Sequence, residues 1–225
     1  MRGSMHRPLW LGAAGARRLV AALAVALGAA AAPAAAQSGE GAAKASDVLR
    51  FTVAPEGNEA RYRVREQLAR LSFPNDAVGA TSQIEGGITL RPDGTVVREE
   101  SRFVIDMASL RTDSDRRDNY VRRRTLETDT HPKAEFVPTE LRGLSFPLPS
   151  SGEATFQIVG DLTIRGVTRP TTWEVTARFS EGEVAGLAKT QFTFDDFQIQ
   201  KPRVASVLSV EDEIRLEYEF RLIAR

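Results

Sequence analysis

Residues 214–222 read Ile-Arg-Leu-Glu-Tyr-Glu-Phe-Arg-Leu, and this stretch shows the pattern that decides the fold. Every second side chain is large and apolar, and the side chains between them are arginine or glutamate. Because successive side chains of a β-strand point to opposite faces, the alternation predicts a strand with one apolar face and one solvent-exposed face.

The same alternation recurs along most of the chain after residue 48. Candidate strands are 102–107, 155–165 and 172–179, with shorter ones at 60–68, 88–90 with Val96, 134–141 and 187–194, and turn residues at 91–94, 165–170 and 180–183. About eight strands with short connections predict an all-β fold, either a mainly antiparallel barrel or a sandwich. A barrel is favoured because closure leaves no unpaired edge, and eight strands leave room for one small ligand.

Residues 109–130 interrupt the strand pattern and predict one short helix packed on or across the barrel. Ser114 or Asp113 can cap it, and acidic residues lie early and arginines late, as the helix dipole prefers. The helix runs to about Leu126, and Pro132 ends it because proline pushes the preceding residue into an extended conformation.

The N-terminus has the three parts of a secretory signal. Arg7 and the Arg17-Arg18 pair precede an apolar run from Leu19, which ends in the small residues 34–36. We therefore expect a signal peptide over 1–36 with cleavage near Ala36, a flexible polar tether over 37–47 and a barrel domain over 48–225. Retention as a membrane anchor and export by a twin-arginine route are the alternatives; a span needs about 20 strongly apolar residues.

Composition excludes several classes of protein. The chain has no cysteine, so disulfide frameworks, thiol catalysis, thiolate zinc sites and a lipid anchor on cysteine are excluded. After residue 36 there are 26 basic and 30 acidic residues, a balance that argues against nucleic-acid binding. His131 is the one histidine after residue 36, and the sequence identifies neither a catalytic partner for it nor a metal site. The acidic residues 113, 115 and 118 lack the spacing of a calcium loop.

Five segments, taken together and in order, resemble the signature block of the YceI-like lipid-binding proteins. They are Phe103–Asp113 (FVIDMASLRTD), Arg117-Asp118, Leu126–Thr128 (LET), His131–Phe136 (HPKAEF) and Val159–Pro170 (VGDLTIRGVTRP). The resemblance covers roughly Phe51–Ala224. It implies an extended, lipocalin-like antiparallel barrel whose apolar cavity holds a long isoprenoid chain, in a periplasmic or secreted protein that performs no catalysis and needs no cofactor besides the bound lipid.

One segment departs from the family pattern. The family's opening strand carries Ser-x-Val-x-Phe-x-Val-x-His, whereas the corresponding region here, Ala60–Glu66, reads Ala-Arg-Tyr-Arg-Val-Arg-Glu and has no histidine. The contacts at the cavity mouth are therefore expected to differ from the family's.

The large apolar residues of the predicted strands are candidates for the wall of a lipid cavity. They are Phe103, Ile105, Phe136, Phe156, Ile158, Leu162, Trp173, Phe192 and Phe194. The pattern alone favours a solid core; the family resemblance reverses this and favours a cavity.

The predicted helix carries a dense basic cluster that consists of Arg116, Arg117, Arg122, Arg123 and Arg124. These side chains can pair locally with acidic residues of the same segment as a solvated helix face. Alternatively, some of them contact a phosphate head group or an anionic membrane surface at the mouth of the cavity. Arg117-Asp118 and Asp106 are interpreted as structural, a charge pair and a cap that fix the helix to the barrel.

Three functions agree with these features. The first is an exported, non-catalytic carrier or sequestering protein for a long-chain isoprenoid lipid, such as a quinone or a polyprenyl phosphate. The second is a structural or interaction module of the cell envelope with a filled barrel, and the third is an enzyme acting on such a lipid. The expected partner is the lipid, with transient contact to a membrane surface and a homodimer as further possibilities.

Overall fold

The computed structural model describes residues 48–225, and it contains ten strand segments and one short α-helix within that range. The predicted signal peptide (1–36) and tether (37–47) lie outside the described residues. The strands are β1 (Leu49–Val53), β2 (Glu59–Leu68), β3 (Asn75–Thr81), β4 (Ile84–Leu90), β5 (Arg102–Asp106), β6 (Lys133–Arg142), β7 (Gly152–Ile164), β8 (Val167–Ser180), β9 (Glu183–Thr193) and β10 (Val207–Ala224), and the helix α1 (Asp115–Tyr120) lies between β5 and β6.

The ten segments occupy eight positions around a closed antiparallel barrel. One edge of β10 pairs first with β1, where Val53 lies opposite Leu222, and then with β2, where Glu59 lies opposite Glu219. β4 pairs with β1 and β3 pairs with β2, so each of these two positions is one interrupted strand. β5 to β10 follow in chain order, and the other edge of β10 pairs with β9. The prediction of an eight-stranded antiparallel barrel with one short helix is confirmed.

The side chain of Asn58 bridges the interruption between β1 and β2. Its Nδ2 donates to the carbonyl oxygens of Ala54, at 2.9 Å, and Arg221, at 3.2 Å. Its Oδ1 accepts from the Arg221 amide at 3.0 Å and from the Tyr218 hydroxyl at 2.9 Å. Since Asn58 is buried, this amide replaces the missing backbone ladder and satisfies polar groups that water does not reach.

The strand β3 has a nearly free outer edge. Among residues 48–225 its pairing beyond β2 is confined to Ala80, which exchanges two backbone hydrogen bonds of 2.8 and 3.0 Å with Arg111. The β2–β3 hairpin, called here the β2–β3 ribbon, is joined to β10 along β2 and extends the wall beyond its closed part with one nearly free edge.

Most of the predicted strands are present, with one wrong turn. The predicted turn at 165–170 consists of only Arg165 and Gly166, both with positive φ, and β8 begins at Val167. Pro170 lies inside β8 opposite Asp161, at a level where β9 no longer pairs with β8. At this level β8 has no partner on the β9 side, so the missing amide hydrogen of Pro170 does not cost the sheet a backbone hydrogen bond. The strands β1 and β3 were not among the predicted ones.

The helix begins where the sequence predicts. Ser114 is the N-cap, and its hydroxyl accepts from the Arg117 amide at 3.4 Å. The α-helix ends at Tyr120 and continues as one π-helical turn over Val121–Thr125, so the predicted segment to Leu126 is helical but changes its hydrogen-bond register.

Candidate functional site

The barrel encloses an apolar inner cavity of about 170 Å³. Its wall consists almost entirely of inward-facing side chains of the alternating strands. On β10, for example, Leu216, Tyr218, Phe220 and Leu222 all line it. The alternation in the sequence thus places one apolar side chain on the cavity wall at every second residue.

Seven of the nine predicted apolar site residues line this inner cavity. They are Phe103, Ile105, Phe136, Phe156, Ile158, Leu162 and Trp173. The rings of Phe136 and Trp173 lie 5.7 Å apart between their centroids, and the buried indole Nε1 of Trp173 has no hydrogen-bond partner in the described chain. That these residues bind a ligand stays a prediction.

The other two predicted residues, Phe192 and Phe194, lie at a second cavity at the end of the barrel. This outer cavity has a volume of about 1070 Å³ and lies between the helical segment 113–126, the β2–β3 ribbon and residues 199–216. Both polar and apolar side chains line it. Phe194 is almost fully buried there, and Phe192 packs edge-on against Phe197 with 4.6 Å between the ring centroids.

Four side chains, called here the neck, lie between the two cavities. Tyr62, Met107, Ile164 and Leu216 line both of them. A molecule that enters the barrel from the outer cavity must therefore pass these four side chains before it reaches the inner one.

Tyr62 is the polar member of the neck. Its ring lies against Gly79 on β3, where an added Cβ would come within 2.2 Å of the ring. Its buried hydroxyl has no hydrogen-bond partner among residues 48–225. Burial raises the pKa of Tyr62 to about 12, against an opposing effect of the nearby Arg117 guanidinium, so the hydroxyl is neutral and available as a donor at neutral pH.

An ion pair fastens the helix over the outer cavity. The Arg117 guanidinium lies 2.9 Å from Glu66 Oε1 on β2, and both side chains are largely buried. Arg117 also pairs with Asp113 one turn earlier in the helical segment. Glu66 is the last residue of the stretch in which the family pattern has histidine, and here it supplies the carboxylate that holds the helix to the barrel.

Asp106 and Asp118 both make structural hydrogen bonds, as the sequence predicts, but the predicted pairing of Arg117 with Asp118 is wrong. Asp118 is buried and accepts hydrogen bonds from the Thr112 amide, at 2.8 Å, and the Thr112 hydroxyl, at 2.7 Å. Asp106 caps the short 3₁₀ turn at 107–109 by accepting from the Ala108 amide at 2.9 Å. Arg117 reaches Glu66 instead, because it lies on the helix side that faces β2.

The remaining helix arginines differ in environment. Arg122 donates to the Leu110 carbonyl and to the Asn119 side chain, and it does not line either cavity. Arg116, Arg123 and Arg124 are exposed and line the outer cavity. Within the described part of the chain, no carboxylate lies within 4 Å of these three guanidinium groups. Local pairing on the helix therefore accounts for one arginine only, Arg117 with Asp113.

Sequence reasoning missed two further arginines of the outer cavity, Arg70 and Arg203. They come from the β2–β3 connection and from the segment before β10. No local pattern marks them, because the fold brings together positions more than 130 residues apart in the chain. In contrast, the parity of β2 does identify Tyr62 as inward-facing.

The described residues show no arrangement typical of metal binding. In the range 48–225, no three His, Asp or Glu side chains converge as ligands of one ion. No helix in this range is both long enough and apolar enough to cross a membrane.

Comparison with solved structures shows the fold. A polyisoprenoid binding domain from Saccharophagus degradans, implicated in plant cell wall breakdown, superposes with a TM-score of 0.60 at 14% identity, over 79% of this chain and 99% of that one. BcnA of Burkholderia cenocepacia superposes with a TM-score of 0.54 at 16% identity, over 73% of this chain and 95% of that one.

Comparison with known sequences shows the family. A UPF0312 protein of Pseudomonas putida (strain W619) is 33% identical over 117 residues, which are 48% of this chain and 57% of that protein. The chain thus spans little more than half the length of the curated relatives it matches. The family model of the YceI-like domain matches residues 51–222, nearly the whole barrel, and the chain therefore belongs to the YceI-like domain family.

Proposed function

We propose that this protein binds a long-chain isoprenoid lipid, a quinone or a polyprenyl phosphate, and sequesters or carries it without catalysis. One observation carries the proposal: an apolar inner cavity lies next to a larger outer cavity that is lined by arginines, and the four neck side chains lie between them. This order of polarity matches a molecule with an apolar tail and a polar head. The polyisoprenoid binding domain of Saccharophagus degradans has the same fold, which supports the choice of an isoprenoid.

The cavity sizes suggest how such a lipid lies in the barrel. The volume of the inner cavity, about 170 Å³, is similar to that of an engineered apolar cavity of about 150 Å³ in another protein, which holds one benzene molecule. It accepts only the end of a long chain, and the rest of the tail lies in the outer cavity against residues such as Phe192 and Phe194.

The tail is expected to determine affinity. Each buried CH₂ group contributes about 0.8 kcal/mol before the cost of ordering the chain. An exposed contact between arginine and phosphate contributes only about 0–1 kcal/mol. Affinity therefore increases with tail length, and the head group adjusts selectivity.

The arginines of the outer cavity favour a phosphate-bearing head over an uncharged quinone. Six arginines and two carboxylates line the outer cavity, and both carboxylates already pair with Arg117. Arg70, Arg116, Arg123, Arg124 and Arg203 remain for an anion.

Native mass spectrometry after mild extraction tests the binding of a lipid. We expect one isoprenoid lipid per chain, identified from its mass. Entry into the inner cavity is followed by tryptophan emission, because Trp173 is the single tryptophan once Trp10 is replaced by phenylalanine. The tail of a polyprenyl phosphate or of an isoprenoid quinone should shift the emission; unchanged emission with both would contradict entry into the barrel.

A pair of variants on β9 separates cavity filling from general damage. Ala188 points into the inner cavity, so Ala188→Leu fills part of that volume, whereas Lys189→Leu adds a similar side chain on the exposed face. We expect Ala188→Leu to lower the lipid content severalfold and Lys189→Leu to retain it. Equal lipid content in both variants would show that the inner cavity is not the site.

A second candidate function is supported by the small volume of the inner cavity. A barrel that is nearly filled by its own side chains suits a structural or interaction module of the envelope. An empty, compact barrel in native mass spectra would favour this module, and conversion of the bound lipid on incubation would instead indicate an enzyme.

We further propose that the protein is exported and that its signal peptide is removed after Ala36. The basic residues, apolar run and small residues of positions 1–36 support this. The intact mass of the protein recovered from the periplasm or medium tests it, and a mass that includes residues 1–36 would contradict cleavage.

A further inference from the structure

Large apolar side chains are exposed at the end of the barrel that carries the outer cavity. Leu71, Phe73 and Leu208 are 42%, 79% and 68% exposed. Leu71 and Phe73 belong to the connection between β2 and β3, and Leu208 lies at the start of β10. The fourth large exposed apolar residue of the described range, Leu49, begins β1 at the opposite end.

The two segments that carry these side chains are adjacent. Leu68 pairs with Val207, and the Ala69 amide donates to the Ser206 carbonyl at 3.0 Å. The tip of the β2–β3 ribbon and the start of β10 thus form one continuous rim, called here the apolar rim and defined by Leu71, Phe73 and Leu208.

Arginines without carboxylate partners lie beside the apolar rim. Arg70 precedes Leu71, Arg203 lies five residues before Leu208, and both are exposed. In the range 48–225 neither has a carboxylate within 4 Å, and the same holds for the exposed helix arginines 116, 123 and 124.

The nearby acidic side chains are mostly paired elsewhere. Glu66 and Asp113 pair with Arg117. Asp76 pairs with two arginines, and Asp212 pairs with Lys201. Asp115 and Glu211 are exposed acidic residues that have no such pairing in the described range and reduce the positive charge in part. Asp195 and Asp196, which follow β9, are exposed acidic residues at this end as well, and Asp196 accepts a hydrogen bond from Thr193. Along the wall of the outer cavity, however, six arginines stand against two carboxylates, so the excess there is positive, although the chain as a whole has no net charge.

We propose that the apolar rim and its arginines dock the protein onto an anionic lipid surface, with the outer cavity facing the membrane. Exposed apolar side chains enter the boundary between head groups and acyl chains, and neighbouring arginines attract anionic lipids. An anionic bilayer is the partner because it offers an apolar interior for the exposed apolar side chains and negative charge for the arginines, over a surface larger than the apolar rim. This inference goes beyond the proposed function, since docking does not require that the barrel is loaded.

Vesicle flotation of the full chain tests the proposal. We expect binding to vesicles that contain phosphatidylglycerol and weak binding to pure phosphatidylcholine. The variant Phe73→Ser/Leu208→Ser should reduce vesicle affinity by about tenfold or more, because it removes two apolar side chains from the boundary region. The variant Arg70→Gln/Arg203→Gln should reduce it by about fivefold for each charge removed.

Matched controls come from the opposite end of the barrel. Leu49→Ser removes an exposed apolar side chain there, and Arg91→Gln removes an exposed charge in the turn after β4. Both should bind vesicles as the parent does, and residues 1–47 contribute equally because all variants carry the same N-terminus. If the rim variants float like the parent, or if the controls lose as much binding as they do, the proposal is overturned.

Lipid content, measured in the same preparations, separates this inference from the proposed function. Phe73 and Leu208 do not line either cavity, so Phe73→Ser/Leu208→Ser should retain its bound lipid. Normal vesicle binding by a protein that never contains lipid would contradict the proposed carrier function and support the docking proposal. A lipid-loaded protein that does not bind anionic vesicles would support the carrier function and contradict the docking proposal.

Discussion

The guanidinium of Arg117 lies 2.9 Å from the carboxylate of Glu66 and so joins helix α1 to strand β2 across the outer cavity. The Glu66 side chain is only 8% exposed and that of Arg117 is 20% exposed. Removal of Arg117 leaves the buried Glu66 carboxylate without a partner, and removal of Glu66 leaves the largely buried Arg117 with only the exposed Asp113. Either loss therefore costs more than the pair itself contributes.

We therefore expect Glu66→Leu to lower the free energy of unfolding by about 2–4 kcal/mol. The double variant Glu66→Leu/Arg117→Leu should recover much of this loss, since no lone charge remains. Urea unfolding measures both, and a parallel cycle on the exposed pair of Arg178 and Glu153 should give about 0–1 kcal/mol. Additive losses at Glu66 and Arg117 would show that the two side chains are not coupled.

The hydroxyl of Tyr62 offers a test of which part of the lipid lies in the neck. A buried hydroxyl without a hydrogen-bond partner costs about 1–3 kcal/mol. Tyr62→Phe should therefore stabilise the delipidated protein by about 1 kcal/mol and leave lipid affinity unchanged, because only the apolar tail passes the neck. Thermal unfolding and lipid titration measure the two properties; destabilisation of the free protein would show that the hydroxyl has a partner.

The contact between Tyr62 and Gly79 determines where the neck lies. In Gly79→Ala the new methyl group would meet the ring at 2.2 Å, so the ring must move, at a cost of about 1–3 kcal/mol. We expect altered access of lipid to Trp173, measured by its emission. Replacing Tyr62 by leucine in the same variant provides the control, because the smaller side chain should remove the steric conflict and restore stability. Failure of this rescue would mean that the loss arises elsewhere.

Asn58 should be among the polar residues most sensitive to substitution. Its amide makes hydrogen bonds to Ala54, Arg221 and Tyr218 in a buried position, so Asn58→Ala leaves several groups unsatisfied. We expect a loss of about 2–4 kcal/mol in unfolding free energy. Asn119→Ala, the same substitution on the exposed side of α1, should change it by less than about 0.5 kcal/mol.

Acid should weaken the packing of the β2–β3 ribbon against β10. Burial acts to raise the pKa of Asp76, but hydrogen bonds and charges from Arg65 and Arg215 outweigh this and lower it below its usual value. A lowered pKa in the folded state means that the stabilisation is present above the unfolded pKa near 4 and is lost as pH falls through the folded value. Asp76→Asn should thus flatten the dependence of stability on pH below about pH 4; an unchanged slope would contradict the role of Asp76.

Periodicity in the sequence predicted the barrel because each long strand has one apolar face. It identified β2, the last three residues of β4 and β5 to β10, and through them the seven predicted side chains that line the inner cavity. It missed β1 and β3. β3 is built mainly from small residues such as Ala77, Gly79 and Ala80, whose alternation is too weak to read, since small side chains suffice where the Tyr62 ring fills the space.

The outer cavity could not be predicted in the same way. Its shape depends on where the ribbon, the helix and the segment before β10 meet, and its charges depend on which arginines find partners. Arg117 and Arg116 are neighbours in the sequence, yet one pairs with a buried carboxylate and the other faces solvent. Only the three-dimensional arrangement separates an arginine that holds the fold together from one that remains for a ligand.

The interruptions of the wall lie side by side, at residues 54–58 and 82–83. On one side of this line the strands form a fully hydrogen-bonded ring with a fixed diameter, and on the other the β2–β3 ribbon has a nearly free edge held at Ala80. Such an edge bends more easily than a closed ring, because fewer hydrogen bonds must be broken. We therefore expect the two parts of the barrel to select ligands differently. The closed ring limits the thickness of the part of a ligand that enters it, and the β2–β3 ribbon adapts to the size of the part that stays outside the ring.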